Sequence, residues 1–287
     1  MRHLAEALVA TGIPISYVTV GNILKIMGYS LHCNKKYLEV GNPGPDRDAQ
    51  FQHINDLSRD FMEENQPVIS VDTKKKELIG NYKNGGRELC PKGEPTLVLD
   101  HDFGTDRASP YGIYDIAHNN GYVNVGISAD TGEFAVNSIR KWWYEMGKQV
   151  YPDAKKLMIT CDGGGSNGSR NRLWKKCLQN FANETGLEIH VSHFPPGTSK
   201  WNKIEHRMFC FISKNWRGRP LETLAIIVSL IANTTTKKGL KIQCSSDNNT
   251  YLKGVKVSDQ EIENLNITHN EWHGEWNYII SPQTVVA

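Results

Sequence analysis

Three acidic residues of this 287-residue chain stand where a fold could bring carboxylates together: Asp72, Asp162 and Glu205. Asp72 ends the apolar run Pro67-Val68-Ile69-Ser70-Val71, and Asp162 ends Lys156–Cys161 (KLMITC). Glu205 lies in Thr198–Trp216, TSKWNKIEHRMFCFISKNW. If the two runs are neighbouring strands, both aspartates emerge at the sheet edge where open α/β proteins build their sites. A glutamate on the following helix can pack back onto that edge. Three carboxylates do not stay ionised side by side without cations. Hard oxygen ligands suit Mg²⁺, and two such ions can activate a water or a 3′-hydroxyl and stabilise a leaving oxygen. Taken singly, each aspartate reads better as a strand-end turn residue; it is the joint pattern that points to a site. Asp100, Asp102, Asp106 and Asp115 compete, but the stretch DHDFGTDRASPYGIYD reads as a loop and ranks them lower.

Wound at about 100° per residue, the Thr198–Trp216 stretch predicts one amphipathic helix. Trp201, Ile204, Met208, Phe211 and Ile212 share an apolar arc. Lys203, His206, Arg207, Cys210, Ser213 and Lys214 lie opposite. Glu205 falls inside the apolar arc. An unpaired buried carboxylate is costly, so Glu205 needs a lysine or a shared metal ion, unless it sits solvated at the rim. Trp201 reads as core.

The elements that must position these acids follow from periodicity and punctuation. Residues 2–10 predict a short helix. A turn at Thr11-Gly12-Ile13-Pro14 and an N-cap at Ser16 lead to a second helix over 17–27. This is a helix-turn-helix pattern, or an ordinary helical hairpin, over residues 1–33. Asn34–Arg47 reads as a linker and 48–63 as a connecting helix. Strands are expected at 67–71, 96–99, 121–128, 156–161 and 187–191. Helices are expected at 131–146 and through Leu173, Trp174, Leu178 and Phe181. Strand–helix alternation in the second half implies parallel strands, and the leading strands make the sheet mixed. The expected organisation is a core over 66–235 and a C-terminal extension over 236–287, with Trp272, Trp276 and Tyr278 packing it down or stacking on bases.

Composition is ordinary for a soluble protein, and no apolar run approaches the roughly 18 residues of a membrane span. The N-terminus carries no signal-like apolar stretch, which predicts an intracellular protein. Six scattered cysteines without a CxxC pair argue against zinc knuckles and disulfide frameworks. Net charge is only +2, but Lys200–Arg219 holds six Lys/Arg against one Glu. Such a stripe suits a phosphate backbone, and so do Lys74, Lys75 and Lys76 behind Asp72. Arg170 and Arg172 stand where a glycine-rich turn opens a helix, a place that binds phosphate well. With Lys200, Lys203, Arg207 and Lys214 they complete the expected nucleic-acid contacts. Each group reads alternatively as solvated charge, Asn167 as a simple cap, and His193 and His206 as structural.

The phrases VDTKKKELIGNYKNGGREL, YGIYDIAHNNGYVNVGI, TCDGGGSNGSRNRLWK and HFPPGTSKWNKIEHRMF closely resemble the ISAzo13 family of insertion-sequence transposases. The resemblance covers nearly the whole chain. It implies an α/β RNase H-like mixed sheet flanked by helices, with Asp72, Asp162 and Glu205 as the DDE set. It further implies Mg²⁺ (or Mn²⁺), two ions per site. The implied activity is DNA cleavage at transposon ends and strand transfer into a target duplex, by a homo-oligomer associated with the bacterial nucleoid. Beside that family the chain looks N-terminally truncated, and the Asp162–Glu205 interval, 205 − 162 = 43 positions, is longer than in many such enzymes. Two other readings stay open: a silent, truncated inhibitor that binds DNA or a partner, and an RNA–DNA hybrid nuclease.

Overall fold

The computed structural model describes residues 1–32 and 46–283. The predicted linker, but for Asp46 and Arg47, lies outside them. The chain divides into a unit over 1–42 and a unit over 43–287.

In the first unit, α1 (Arg2–Ala10) and α2 (Tyr17–Ile26) form the expected pair. Ser16 caps α2 by accepting from the Thr19 amide at 3.1 Å.

The second unit is built on a nine-stranded mixed sheet among the described residues. After α3 (Arg47–Glu63) come β1 (Val68–Thr73), β2 (Glu77–Leu78), β3 (Arg107–Asp115) and β4 (Asn120–Gly126). Then follow α4 (Gly132–Trp142), a π turn (Trp143–Gly147), α5 (Lys148–Val150), β5 (Lys156–Cys161), α6 (Arg172–Thr185) and β6 (Glu188–His193). A 3₁₀ turn (Ser199–Trp201) and a second π turn (Glu205–Phe209) precede α7 (Cys210–Asn215). Next are α8 (Leu224–Ala232), β7 (Lys241–Asp247), α9 (Asp259–Glu263), β8 (Ile267–His269) and β9 (Asn277–Ile280). The strand order is β7-β4-β3-β1-β5-β6-β9-β8, with β2 beside β3. β3 is antiparallel to β1 and β4, whereas β1, β5 and β6 run parallel. This central order, with helical crossovers into β5 and β6, is the RNase H-like sheet.

Period-2 alternation sorts the faces. Ile69, Val71, Leu157, Ile159 and Cys161 join Phe134, Ile139, Trp142, Trp174 and Phe181 in a core beneath α4 and α6. Val68 and Met158, one residue out of phase, pack instead with Ile54 and Phe61 of α3. Ile204, Met208, Phe209 and Ile212 cover Tyr114, Val123 and Val125 on the other side, with Ile227 and Ile231 of α8.

Three expectations are corrected. No strand forms over 96–99: Leu97 and Leu99 are exposed, held only by bonds to Asn81. The sheet's second strand is instead β3, inside the stretch read as loop. Its Pro110 and Gly112 mimic turn residues, yet both are buried in the sheet. Pro110, which has no N–H to donate, stands just past the last β1–β3 pair, Thr73 with Tyr111, and its carbonyl accepts from the Lys74 amide at 2.9 Å. The Thr198–Trp216 helix is broken into 3₁₀, π and α segments, so phase does not carry through it. Trp201, expected in the core, is 52% exposed, Phe211 is only partly buried, and Phe209 is buried beside the expected Ile204, Met208 and Ile212.

Candidate active site

The register of β1 on β5 pairs Ser70 with Thr160. Carried two residues further, it sets Asp72 opposite Asp162 at the carboxyl ends of adjacent parallel strands. The core contacts put both on the sheet face that α3 and the Glu205 segment cover. Asp72 accepts from the Thr73 amide at 2.8 Å. Asp162 is held by Asn167, whose side-chain amide donates to its Oδ1 at 3.1 Å. Asn167 is buried in the glycine-rich turn, so this turn orients a carboxylate in addition to leading into α6. Asn171 supplies the α6 cap, accepting from the Trp174 amide at 3.2 Å.

Glu205 reaches the pair through a clamp. Ser70 Oγ donates to Asn202 Oδ1 and accepts from the Ile204 amide at 3.0 Å. Asn202 Nδ2 donates to the Val71 carbonyl at 3.1 Å, and its own carbonyl accepts from the Glu205 amide at 3.1 Å. Ser70 and Asn202 are fully buried. The π turn that starts at Glu205 then seats Met208 and Phe209 on Gly112, the β3 residue paired with Asp72. A Cβ at Gly112 would lie 2.5 Å from Phe209 Cε1 and 2.8 Å from Met208 Cε. Glycine is therefore required for the segment to approach so closely.

The electrostatics match three acids facing one another. Burial, then the charge of Asp162, then that of Glu205 push Asp72 up to about 8, against its bonds from Thr73 and Asn202. Burial also raises Asp162, against bonds from Asn167 and the Gly164 amide. Glu205 is raised by burial and by Asp162, and lowered by Lys74 and His206. Among the described residues, no three His, Cys, Asp or Glu side chains are grouped closely enough to hold an ion as they stand. The carboxylates sense each other's charge without closing into a cage. Asp100, Asp102 and Asp106 are exposed and take no part. Asp115 is buried at the opposite end of β1, beside Ile69, accepting from Tyr151 and paired with His118.

The basic candidates divide. Lys75, Lys76, Arg170, Lys200, Arg207 and Lys214 are exposed. Lys203 is half-buried, its pKa lowered by burial and by Arg207. Lys74 is 6% exposed, bonded to Glu77 at 2.8 Å and stacked over Trp216 at 4.4 Å. Arg172 is paired with Asp259 at 2.6 Å and donates to the Val257 carbonyl. For these two, the expected free phosphate contact meets a side chain already engaged within the protein. His193 is fully buried between Asp162 O, at 3.0 Å, and Tyr278 Oη, at 3.2 Å; His206 is exposed and bonds the Lys200 carbonyl. Ser70, Asn202, Asn167 and Gly112 are the positioning residues that sequence reasoning missed as such. Their signals were present: a lone hydroxyl in an apolar strand, and an asparagine at a helix head.

A family profile described as the Rhodopirellula transposase DDE domain matches residues 1–282. No curated protein matches. Among solved structures, a Mos1 transposase paired-end complex with left transposon end is 12% identical with a TM-score of 0.45, covering 77% of this chain and 63% of that one. The Mos1 mariner paired-end complex with Mn gives 12% and 0.46, covering 77% and 63%. The corresponding complex with Mg gives 11% and 0.44, covering 78% and 63%. The chain thus spans less than two thirds of the length of these neighbours.

Proposed function

Since the chain belongs to the transposase DDE-domain family over residues 1–282, we propose that it is a polynucleotidyl transferase that cuts DNA at the ends of an insertion sequence and joins them to a target duplex. The observation that carries this reading is the placement of Asp72 and Asp162 at the ends of adjacent parallel strands, with Glu205 clamped over them. The donor set suits a hard divalent ion: three carboxylates, with Asp72 pushed up to about 8 by burial and neighbouring negative charge. Asp72, Asp162 and Glu205 are the residues that would hold Mg²⁺ or Mn²⁺, two ions per site. When bound, the ions supply Lewis acidity and neutralise charge on the attacking and leaving oxygens.

The chain's own residues provide orientation and phosphate binding. Asn167 fixes one Asp162 oxygen, and the Thr73 amide fixes Asp72. Ser70 and Asn202 set the start of the Glu205 turn. The exposed Lys75, Lys76, Arg170, Lys200, Arg207 and Lys214, together with half-buried Lys203, are the proposed contacts to DNA phosphates. A homo-oligomer on the paired transposon ends completes the proposal.

The test is nicking of terminal-repeat duplex with Mg²⁺, compared across wild type, Asp72→Asn and Asp162→Asn. Cleavage by wild type alone is expected. Undiminished cleavage by either variant would overturn the assignment. A wild-type chain that binds the duplex and never cuts it would point to an inhibitor, and preferential cutting of an RNA–DNA hybrid to a nuclease.

A further inference from the structure

Beside Asp162 a cavity of about 820 Å³ opens between the glycine-rich turn, the Phe194–Gly197 loop and the 269–276 loop. Its size falls within the roughly 300–1,000 Å³ of sites that enclose a small organic ligand. Its walls differ in chemistry. Phe194, Pro195 and Trp276 are apolar, Arg170 and Lys175 are cationic, and Asp162 and Glu275 are acidic, Glu275 being bonded to His273 at 2.7 Å. Trp276 is half-buried, with its ring stacked on His273 at 4.3 Å and 15°. The Trp276 backbone is fixed by its carbonyl, which accepts from the His193 amide at 2.9 Å.

Lys175 is the informative residue. It projects from α6 and is half-buried, and its side chain makes no hydrogen bond or ion pair among the described residues. Its Nζ lies over the Tyr278 ring, 4.9 Å from the centroid. Burial lowers its pKa with no carboxylate acting to restore it. A half-buried ammonium without an anion is an unfavourable arrangement that a bound anion relieves. The other lysine on α6 differs: Lys176 is paired with Glu261 at 2.6 Å.

We propose that this cavity is a subsite for one unpaired nucleotide of a DNA strand running past Asp162, its phosphate between Lys175 and Arg170 and its base against Trp276. A duplex has no unstacked base to offer such a cavity. A strand end does, and stacking on an aromatic ring with cationic neighbours is how single strands are held. The proposal rests on the DNA-processing reading above and names a substrate feature that reading leaves open.

The experiment measures binding in the absence of divalent ions, so that it does not depend on catalysis. Fluorescence anisotropy compares a blunt duplex with duplexes of the same sequence carrying a 3′ or a 5′ single-stranded overhang, in wild type, Lys175→Gln, Lys175→Arg and Trp276→Ala. Wild type should prefer one overhang to the blunt end. Lys175→Gln and Trp276→Ala should each remove about tenfold of that preference while blunt-end binding stays unchanged. Lys175→Arg should retain most of it. With an abasic overhang Trp276→Ala should have no effect, while Lys175→Gln still weakens binding. Equal losses on blunt and overhang DNA, or no loss on either overhang, would overturn the subsite. A melting curve for each variant separates misfolding from weakened binding, and Lys175→Gln carries the test if Trp276→Ala does not fold. Failure of the transposase reading shows separately, as absent Mg²⁺-dependent nicking by wild type.

Discussion

Ser70 donates its hydroxyl to the side-chain carbonyl of Asn202, one of the bonds that join the strand carrying Asp72 to the segment carrying Glu205. The same hydroxyl accepts the Ile204 amide, so it closes the segment's first turn as well. Removing it leaves buried polar groups unpaired on both sides, at about 1–3 kcal/mol each.

Ser70→Ala and Asn202→Ala should therefore lower the melting temperature yet leave a folded protein. Cleavage should fall much further, on the order of 10²-fold, because small misplacements of catalytic groups are that costly. The Mg²⁺ concentration for half-maximal cleavage should rise. If cleavage follows only the folded fraction, with unchanged Mg²⁺ dependence, the clamp does not position Glu205.

Glu205→Gln keeps shape and removes charge. The cation that most lowers Glu205 is Lys74, which already has Glu77, so no buried cation is stranded. Melting should stay within about 1 kcal/mol of wild type, while nicking is abolished. A sharply lowered melting point with nicking retained in the folded fraction would make Glu205 structural.

Gly112→Ala should act without altering any carboxylate, although Gly112 is paired with Asp72. The added Cβ meets Phe209 and Met208, so the π turn bearing Glu205 must shift. We expect about 1–3 kcal/mol of destabilisation, the usual cost of overpacking, together with reduced nicking. Wild-type activity in this variant would show that the turn's close seat on β3 is dispensable.

In metal-free protein, Asp72 keeps its proton up to about pH 8 when folded, but releases it near 3.9 when unfolded. Between those values the folded state binds more protons, so stability falls as pH rises. The contribution is fully present below the unfolded value and lost through the folded one. Melting in EDTA from pH 5 to 8.5 should show this decline, and Asp72→Asn should flatten it. Divalent-ion affinity should move oppositely, tightening as pH rises and the carboxyl gives up its proton. A melting profile identical in wild type and variant would contradict the assigned environment.

Salt dependence should separate the exposed cations from the engaged ones. Neutralising Lys200, Arg207 or Lys214 should reduce the log–log salt slope of DNA binding by about 0.9 for each phosphate left without its cation. Lys74→Met and Arg172→Gln should leave the slope unchanged, since Glu77, Trp216 and Asp259 already hold these groups. Equal slopes throughout would mean the exposed stripe is only a solvated face.

Much of the architecture was legible locally. Lys156–Cys161 is an apolar run of β-forming residues bounded by turns, and it is β5. Ser16 announced α2, and Thr131 announced α4 by accepting from the Phe134 amide. The β3 strand was not legible, because burial on both faces erases alternation while its proline and glycine imitate a loop. Trp201 was misplaced because a 3₁₀ turn and a π turn each rotate the chain away from a constant 100° per residue.

By itself the sequence determined which acids stand at strand ends, which side chains carry positive charge, and the family resemblance that unites them. These depend on residue identity and short-range order. Only the tertiary structure decided that Asp72 and Asp162 are side by side, because strand neighbours are chosen by packing between residues far apart along the chain. It also decided that Lys74 and Arg172 are ion-paired, that the Lys175 side chain has no ion pair among the described residues, and that Ser70 bonds Asn202 and the Ile204 amide beside Glu205. Those relations rest on which polar groups burial leaves to satisfy one another, and that is settled only when the whole core closes.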